Sequence, residues 1–366
     1  MDLTVLYRGP LASCDYDCPY CPFAKRRDSR EQLRADRTAL ERFAGWAAER
    51  QGEDRLSLLF TPWGEALVRS WYRRTLAALS RLPHIDRVAV QTNLSCRTDW
   101  LDDADPGTLA LWCTYHPGQT PYDRFLGKCR DLVGRGIRFS VGIVGFEEHL
   151  EAARRLRADL PDHVYLWVNA AEGHTYTDEE AARWTALDPL FPYSRHPHRS
   201  AGLPCRTGES VVSVDGDGTV RRCHFVRSGL GNLYDGSYRA ALGPRACPLA
   251  VCDCHIGYVH LESLPLYDVF AGGVLERIPA GYPGPVPGGG SAPDRTGGGA
   301  ADADPARDTR PAPAQGPGSA PDPGPLTDSD APSGPGSAPE DSGPRPRPGS
   351  RPGDQSGSRS GRFGST

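Results

Sequence analysis

The sequence has almost no lysine and no excess of positive charge. Lys25 and Lys128 are its only lysines, and the formal net charge at neutral pH is −4. A dedicated nucleic-acid-binding protein carries a clear basic excess, so the composition argues against that class. The sequence also lacks any run of about 20 apolar residues, the length that a helix needs to span a bilayer. We therefore expect neither a nucleic-acid partner nor a membrane partner.

Bulky apolar residues are scarce after residue 280. Residues 281–366 consist mainly of Pro, Gly, Ser, Ala and Asp. Such a segment cannot bury enough apolar surface to offset the entropy that it would lose on ordering, so we predict a disordered tail over 281–366. The preceding part of the chain is long enough to form a large core.

Cysteines spaced for disulfide pairing are absent as well. The chain has 11 cysteines, an odd number, and most of them form two groups. In a folded body of this size, such grouping favours metal binding in a reducing compartment over a disulfide framework. The chain also begins with a β-type segment and not with a charged and then apolar leader. We therefore predict a cytoplasmic protein.

The first group of cysteines follows the β-type segment 3–8 and has the spacing C-x3-C-x2-C. Its members are Cys14, Cys18 and Cys21. Thiolates this close in sequence can hold one iron–sulfur cluster and leave one iron without a protein ligand. The alternative is a structural zinc site completed by a distant histidine, because zinc favours four nitrogen or sulfur ligands.

This spacing, with Tyr20 directly before the last cysteine, resembles the radical SAM superfamily. The resemblance implies that Cys14, Cys18 and Cys21 hold a [4Fe–4S] cluster. It also implies that S-adenosylmethionine (AdoMet) binds the open iron through its amino and carboxylate groups. A low-potential electron donor, a flavodoxin or a ferredoxin, is the partner that the resemblance implies.

Predicted strands and helices alternate over residues 1–190. The predicted strands cover residues 3–8, 56–60, 88–91, 109–114, 137–144 and 164–168. The predicted helices cover residues 29–51, 66–82, 122–134 and 147–159. Alternation with short connections predicts a parallel sheet with helices outside it, an α/β fold. Six such units form a partial (β/α)6 TIM-like barrel, which is also the fold that the resemblance implies.

The loop after the second predicted strand is a candidate for binding AdoMet, because reactive groups of parallel barrels collect at the carboxyl ends of the strands. Gly64 and Glu65 resemble part of the Gly-Gly-Glu motif of the radical SAM family, with Trp63 in place of the first glycine. In the family this motif receives the amino group of AdoMet. An ordinary turn with a glutamate at a helix N-terminus is the alternative.

Later strands end in further candidate residues. Asn93 resembles the second residue of the Thr-Asn pair common in the family, and Asn169 stands where the family often contacts the nucleoside. Ile143 and Gly145 match part of the family's Gly-x-Ile-x-Gly-x-x-Glu motif, which lies beside adenine. His116 is a candidate catalytic residue for proton transfer, since the ordinary pKa of histidine is near 6.5. A structural, hydrogen-bonded histidine is the alternative for this position.

The second group of cysteines lies in residues 200–260. Its members are Cys205, Cys223, Cys247, Cys252 and Cys254. The opening Cys205-x12-Gly218-x4-Cys223 resembles the SPASM/twitch domains that carry auxiliary iron–sulfur clusters in many radical SAM enzymes. We therefore predict a small second domain over 200–260, followed by a C-terminal cap over 261–280.

Five cysteines complete one four-ligand set with one cysteine to spare, so the resemblance implies one auxiliary [4Fe–4S] cluster. The sequence leaves open which of the last three cysteines is not a ligand. His224 and His255 are possible competing ligands. A structural zinc site on the same thiols is the alternative.

The resemblance implies reductive cleavage of AdoMet to a 5′-deoxyadenosyl radical, which abstracts a hydrogen atom from a substrate. Relatives with a SPASM/twitch domain often modify peptides or proteins, so a peptide or protein is the first candidate substrate. Radical chemistry on a small molecule or a carbohydrate is the alternative enzyme function. A non-catalytic zinc-binding scaffold is the alternative from another class.

Overall fold

A computed structural model describes residues 1–23, 27–284 and 286 of the chain. The first six strands are β1 Asp2–Arg8, β2 Arg55–Phe60, β3 Ile85–Thr92, β4 Leu109–Thr114, β5 Arg138–Val144 and β6 Leu166–Asn169. The later strands are β7 His198–Arg199, β8 Pro204–Cys205, β9 Val211–Asp215, β10 Thr219–Arg221, β11 Gly229–Asn232, β12 Arg245–Ala246 and β13 Val251–Cys252. The α-helices are α1 Arg30–Ala48, α2 Ser70–Ser80, α3 Tyr122–Gly134, α4 Leu150–Asp159, α5 Asp178–Thr185, α6 Phe191–Ser194, α7 His255–Tyr258 and α8 Leu266–Phe270.

Strands β1 to β6 are parallel neighbours in chain order, and helices connect them. This arrangement confirms the predicted α/β fold class. The helix predicted over 66–82 is interrupted, however. Residues Ala66–Val68 form a separate 3-10 turn, and Arg69 has an extended backbone that ends it before α2 begins. The segment 147–159 likewise opens with a 3-10 turn, Glu147–His149, before α4.

The region predicted as a second domain contributes three strands to the same sheet. Strand β9 pairs in parallel with β1, and β10 and β11 extend the sheet beyond it by antiparallel pairing. Two short pairs, β8 with β12 and β7 with β13, carry Cys205 and Cys252. The division of the described residues into separate domains remains a prediction.

Each face of the sheet packs against a different layer. On one face, Leu58 and Phe60 of β2 join Leu40 and Phe43 of α1 in a cluster between the sheet and the helices. On the other face, alternate strand residues such as Leu59 pack against the C-terminal segment. Successive strand residues point to opposite faces, so strands covered on both faces need continuous apolar runs. The sequence of β2, RLSLLF, has such a run.

The C-terminal segment, called the cap below, packs against the second face of the sheet. Its anchor is Glu276, whose side chain is 0% exposed and accepts a hydrogen bond from Nε of Arg138. The backbone carbonyl of Glu276 accepts a hydrogen bond of 2.6 Å from Oγ of Ser140. Further along, the ring of Tyr282 lies 5.0 Å from that of Tyr165. The packed segment therefore continues past residue 280, and residues 285 and 287–366 of the predicted tail lie outside the described residues.

We expect Glu276→Ala to lower the free energy of unfolding by about 2–3 kcal/mol, because it removes a charged hydrogen bond at a buried position. The midpoint of urea unfolding measures this loss. The matched control is Glu151→Ala, since the Glu151 side chain is 86% exposed and lies 3.9 Å from Arg154. An exposed pair of this kind contributes about 0–1 kcal/mol. Equal midpoints for the two variants would contradict the role of Glu276 as an anchor.

No described helix is suited to span a membrane. None of them combines the length and the apolar composition that crossing a bilayer requires.

Candidate cofactor site at the carboxyl ends of the strands

The first cysteine loop leaves the carboxyl end of β1 and is tied back by Asp28. One carboxylate oxygen of Asp28 accepts hydrogen bonds of 2.8 Å from the backbone amides of Ala12 and Ser13 and from the Ser13 hydroxyl. The Asp28 amide in turn donates to Oγ of Ser13 at 2.6 Å. These bonds fix the residue directly before Cys14. Sequence reasoning missed Asp28, because the partners of a polar loop residue cannot be read from its position in the chain.

The loop after β2 lies against the cysteine loop, backbone to backbone. The amide of Gly64 donates to the carbonyl of Leu11 at 3.1 Å, and that of Glu65 donates to the carbonyl of Ser13 at 3.0 Å. A Cβ atom added at Gly64 would lie 2.1 Å from the Ser13 oxygen. Only glycine fits this approach, which explains why the second glycine of the motif is present although Trp63 replaces the first.

Glu65 connects the loops after β2 and β3. Its buried carboxylate accepts hydrogen bonds from the Leu67 amide at 2.9 Å, from Oγ1 of Thr92 at 2.7 Å and from the Asn93 amide at 2.7 Å. Burial raises the pKa of Glu65 to about 7 in spite of these bonds. Nδ2 of Asn93 lies 3.6 Å from Sγ of Cys14. Residues predicted from three separate loops thus meet at one place.

The pKa of Glu65 predicts a pH-dependent stability. The folded-state pKa of about 7 lies above the ordinary 4.5. The folded protein therefore holds this proton more tightly than the unfolded chain, and the stabilisation is present below pH 4.5 and is lost as the pH rises through 7. Relative to Glu65→Gln, the wild type should lose about 3 kcal/mol between these limits. Urea midpoints of both proteins at several pH values test this, and a pH-independent difference would contradict the assignment.

Aromatic and histidine side chains surround the other half of the cysteine loop. The Tyr20 hydroxyl lies 2.9 Å from Nδ1 of His116. The Tyr20 ring also packs against Phe146 at 5.1 Å and against His149 at 5.5 Å. Burial, aided by His149, lowers the pKa of His116 to about 4, so its imidazole is neutral at pH 7. A neutral imidazole can accept or donate a hydrogen bond here, but it is not an acid that titrates near neutral pH.

The remaining predicted residues lie in two different environments; they are Ile143, Gly145 and Asn169. Ile143 is fully buried in the cluster between the sheet and the helices. The Gly145 amide donates to the backbone carbonyl of Asn169 at 2.8 Å, and a Cβ atom at Gly145 would lie 2.9 Å from the Tyr176 hydroxyl. Oδ1 of Asn169 accepts a hydrogen bond of 2.6 Å from Arg277 of the cap. Within the described residues, no hydrogen bond joins Ile143, Gly145 or Asn169 to the first cysteine loop.

The second group of cysteines gathers beside the sheet. Four of its members are buried: Cys205, Cys223, Cys247 and Cys252. The thiols of Cys254, Cys223 and Cys247 add to burial in raising the pKa of Cys252 far above its ordinary value. A Cβ atom at Gly257 would lie 2.7 Å from Sγ of Cys252, so this glycine leaves space beside the sulfur.

The donor chemistry of both groups suits a thiolate-bound metal cluster. The 11 cysteines, all in the described part of the chain, form no disulfide. Within residues 1–23 and 27–284, no three Cys, His, Asp or Glu side chains already stand in the arrangement of a metal site. The thiol donors and the space at Gly257 therefore fit an iron–sulfur cluster or zinc by donor type.

Arg8, the last residue of β1, packs against the Trp63 loop and was missed by sequence reasoning. Its Nε donates to the Thr61 carbonyl at 3.0 Å, and its guanidinium lies 4.2 Å from the Trp63 ring centre. Burial lowers the pKa of Arg8 to about 10, and the Cys254 thiol acts in the opposite direction. The side chain thus ties the Trp63 loop to the end of β1. An arginine at a strand end carries no sequence signal of such a position.

No protein-family profile and no curated protein matches the sequence. Among solved structures, the chain is similar to anSMEcpe with bound AdoMet, with 13% identity over 66% of this chain and 83% of that chain and a TM-score of 0.45. A structure of anSMEcpe with AdoMet and the Cp18Cys peptide has 16% identity, coverages of 66% and 82% and a TM-score of 0.43. BtrN in complex with AdoMet and 2-DOIA has 13% identity, coverages of 66% and 82% and a TM-score of 0.32. All three of these structures contain AdoMet.

Proposed function

We propose that this protein is a radical SAM enzyme with its cluster held by Cys14, Cys18 and Cys21. When bound, the reduced cluster supplies the electron that cleaves AdoMet to a 5′-deoxyadenosyl radical, which then abstracts a hydrogen atom from the substrate. One observation carries the proposal. The cysteine loop is hydrogen-bonded directly to the Gly64–Glu65 loop, and Asn93 lies beside Cys14, all at the carboxyl ends of adjacent parallel strands.

The residues around this loop bind and orient the cofactor. The Glu65 carboxylate and nearby carbonyl groups suit the ammonium of AdoMet, because carboxylates and carbonyls accept hydrogen bonds from it. Tyr20, held by His116, offers a ring edge beside the loop for the nucleoside. Asn93 fixes the orientation of the Cys14 side chain. The cap covers the inner face of the sheet and limits the access of water to a reactive radical.

The second group of cysteines holds one auxiliary [4Fe–4S] cluster in this proposal. Cys205 and Cys223 supply two ligands, and two of the last three cysteines complete the set. A flavodoxin or a ferredoxin supplies electrons. A peptide or protein is the first substrate to test, because the Cys205–Cys223 spacing resembles that of domains found in peptide-modifying relatives. A small molecule or a carbohydrate is the second.

Anaerobic purification followed by an AdoMet cleavage assay tests the proposed function. The protein is reconstituted with iron and sulfide, reduced with dithionite and incubated with AdoMet. We expect brown protein that contains iron and sulfide and forms 5′-deoxyadenosine, measured by mass spectrometry. Colourless protein that retains zinc and forms no 5′-deoxyadenosine would contradict the proposal and would favour the zinc-binding scaffold.

A further inference from the structure

Arg277 of the cap reaches the carboxyl end of β6. Its side chain is 2% exposed, and Nη1 donates to Oδ1 of Asn169, the last residue of β6. The guanidinium carbon lies 4.5 Å from the ring centre of Trp167 and 5.6 Å from that of Trp112. The preceding residue, Glu276, is bound to Arg138 at the start of β5, whereas Arg277 is bound to Asn169 at the end of β6. The arginine therefore points inward from a fixed base.

The backbone at Arg277 has an unusual conformation. Its φ angle is 56°, in the left-handed region that residues other than glycine seldom adopt. Such a conformation is strained for an arginine, and strained residues are concentrated at functional sites. This conformation separates the direction of the Arg277 side chain from that of Glu276 and sends the guanidinium inward.

Arg277 has no carboxylate partner among the described residues. A guanidinium has five N–H groups, and within the described residues Arg277 uses one of them on a side chain and has no carboxylate oxygen within 4.0 Å. Arg222 provides a contrast. It is 4% exposed and donates to Oγ1 of Thr207 and to the carbonyls of Ala246 and Arg245. A buried arginine is ordinarily paired in this way, since an unpaired buried charge is costly.

The nearest buried acid is already engaged. Asp188 accepts hydrogen bonds from the Tyr165 hydroxyl and from the amides of Val168 and Leu190. The charge of Arg277 acts on Asp188 only at longer range, where it opposes the burial that raises the pKa of this carboxyl. Asp188 therefore reduces the cost of burying Arg277 without occupying its donors.

His255 provides a second, independent observation. It is 7% exposed, and its ring lies edge-on to Trp112 at 5.3 Å, so the two side chains flank the same indole. Nδ1 lies 3.3 Å from the Tyr258 hydroxyl, whereas Nε2 is buried and has no hydrogen-bond partner among the described residues. When the tyrosine hydroxyl donates to Nδ1, Nε2 carries the proton and is a free donor. Arg277, which lacks a carboxylate partner, and the unpaired Nε2 of His255 thus lie near one tryptophan.

We propose that Arg277, His255 and Asn169 form a subsite for a carboxylate group of the substrate. The inference rests on the proposed function and names its substrate class, a molecule that carries a carboxylate. The planar guanidinium matches a carboxylate in a bidentate pair, and a neutral amide and an imidazole N–H complete the contacts. One guanidinium charge balances a monoanion better than the dianion of a phosphate ester. The flanking Trp112 and Trp167 rings exclude water and strengthen the pairing.

Propionate is the probe for this subsite, and propionamide is its uncharged isostere. The reconstituted full-length protein is titrated with each at constant ionic strength, and melting temperature and tryptophan fluorescence are recorded. We expect a saturable increase in melting temperature with propionate and none with propionamide. Arg277→Gln should weaken propionate binding about tenfold or more, and His255→Gln should weaken it by a smaller factor, because a hydrogen bond from a charged donor is the stronger of the two.

The control for loss of an arginine charge is Arg42→Gln. The Arg42 guanidinium lies 3.7 Å from the ring centre of Tyr234 on the outer surface, so it also stacks on an aromatic ring. This variant should bind propionate like the wild type. If Arg277→Gln does not fold, His255→Gln and the wild-type comparison of propionate with propionamide still decide the question.

Three results would overturn the carboxylate assignment. The first is an equal response to propionate and propionamide, and the second is tighter binding of inorganic phosphate than of propionate. The third is an Arg277→Gln variant that loses AdoMet affinity, measured by equilibrium dialysis, but keeps propionate affinity, since the arginine would then serve the cofactor. Failure of the proposed function is distinguishable, because 5′-deoxyadenosine would be missing while propionate binding persisted.

Discussion

Replacing Cys14, Cys18 and Cys21 together by alanine should abolish the formation of 5′-deoxyadenosine from AdoMet. The three thiols are the proposed ligands of the cluster that AdoMet binds, and no other cysteine lies in this loop. The iron content should fall by one cluster per chain while the second group keeps its own. Iron and sulfide analysis together with quantification of 5′-deoxyadenosine measures both changes in anaerobically reconstituted protein.

The matched control is Cys129→Ala. Cys129 is fully buried on α3 and belongs to the cluster between the sheet and the helices, outside both cysteine groups. This variant should keep its iron and its AdoMet cleavage, with only the modest loss of stability that follows from a smaller core side chain. Wild-type rates of 5′-deoxyadenosine formation in the triple variant would show that the cofactor site lies elsewhere.

Cys205→Ala or Cys223→Ala should remove one cluster per chain and loosen the segment around it. The strands of this region that carry the cysteines are two residues long, β8 with β12 and β7 with β13, and offer few backbone pairs of their own. Metal coordination should therefore be coupled to local folding. Increased proteolysis should be concentrated in residues 233–254, because β9, β10 and β11 are held by the main sheet.

Iron and zinc analysis, together with limited proteolysis mapped by mass spectrometry, measures this result. The first cluster should remain, since β1 to β6 do not depend on these thiols. Loss of iron without local loosening would mean that the cluster binds to an already stable region. Unchanged iron with a loss of zinc would identify the second site as structural zinc.

The parallel sheet could be predicted because its strands are covered on both faces. Their apolar runs, such as that of β4 with Leu109 and Leu111 buried, are visible in the sequence without knowledge of tertiary contacts. The break at Arg69 could not be predicted in this way. Helical periodicity continues across it, and only the extended backbone at that residue ends the 3-10 turn.

The candidate site was predictable where its residues follow strands directly. Cys14, Gly64 and Asn93 stand at the ends of β1, β2 and β3, and parallel strands bring such positions together. Asp28 and Arg277 were not predictable, because their partners are distant in sequence. Arg277 is 108 residues from Asn169, and its contact depends on how the cap folds across the sheet.

The central claim is that AdoMet binds to a cluster held by the first cysteine loop. The most direct test is the electron paramagnetic resonance spectrum of the reduced Cys205→Ala/Cys223→Ala variant, which is expected to keep only that cluster. The spectrum is recorded with and without AdoMet that carries a heavy nitrogen isotope in its amino group. We predict a reduced [4Fe–4S] signal that shifts when AdoMet is added and that shows coupling to the labelled nitrogen. A missing signal, or a signal that AdoMet leaves unchanged, would contradict the claim.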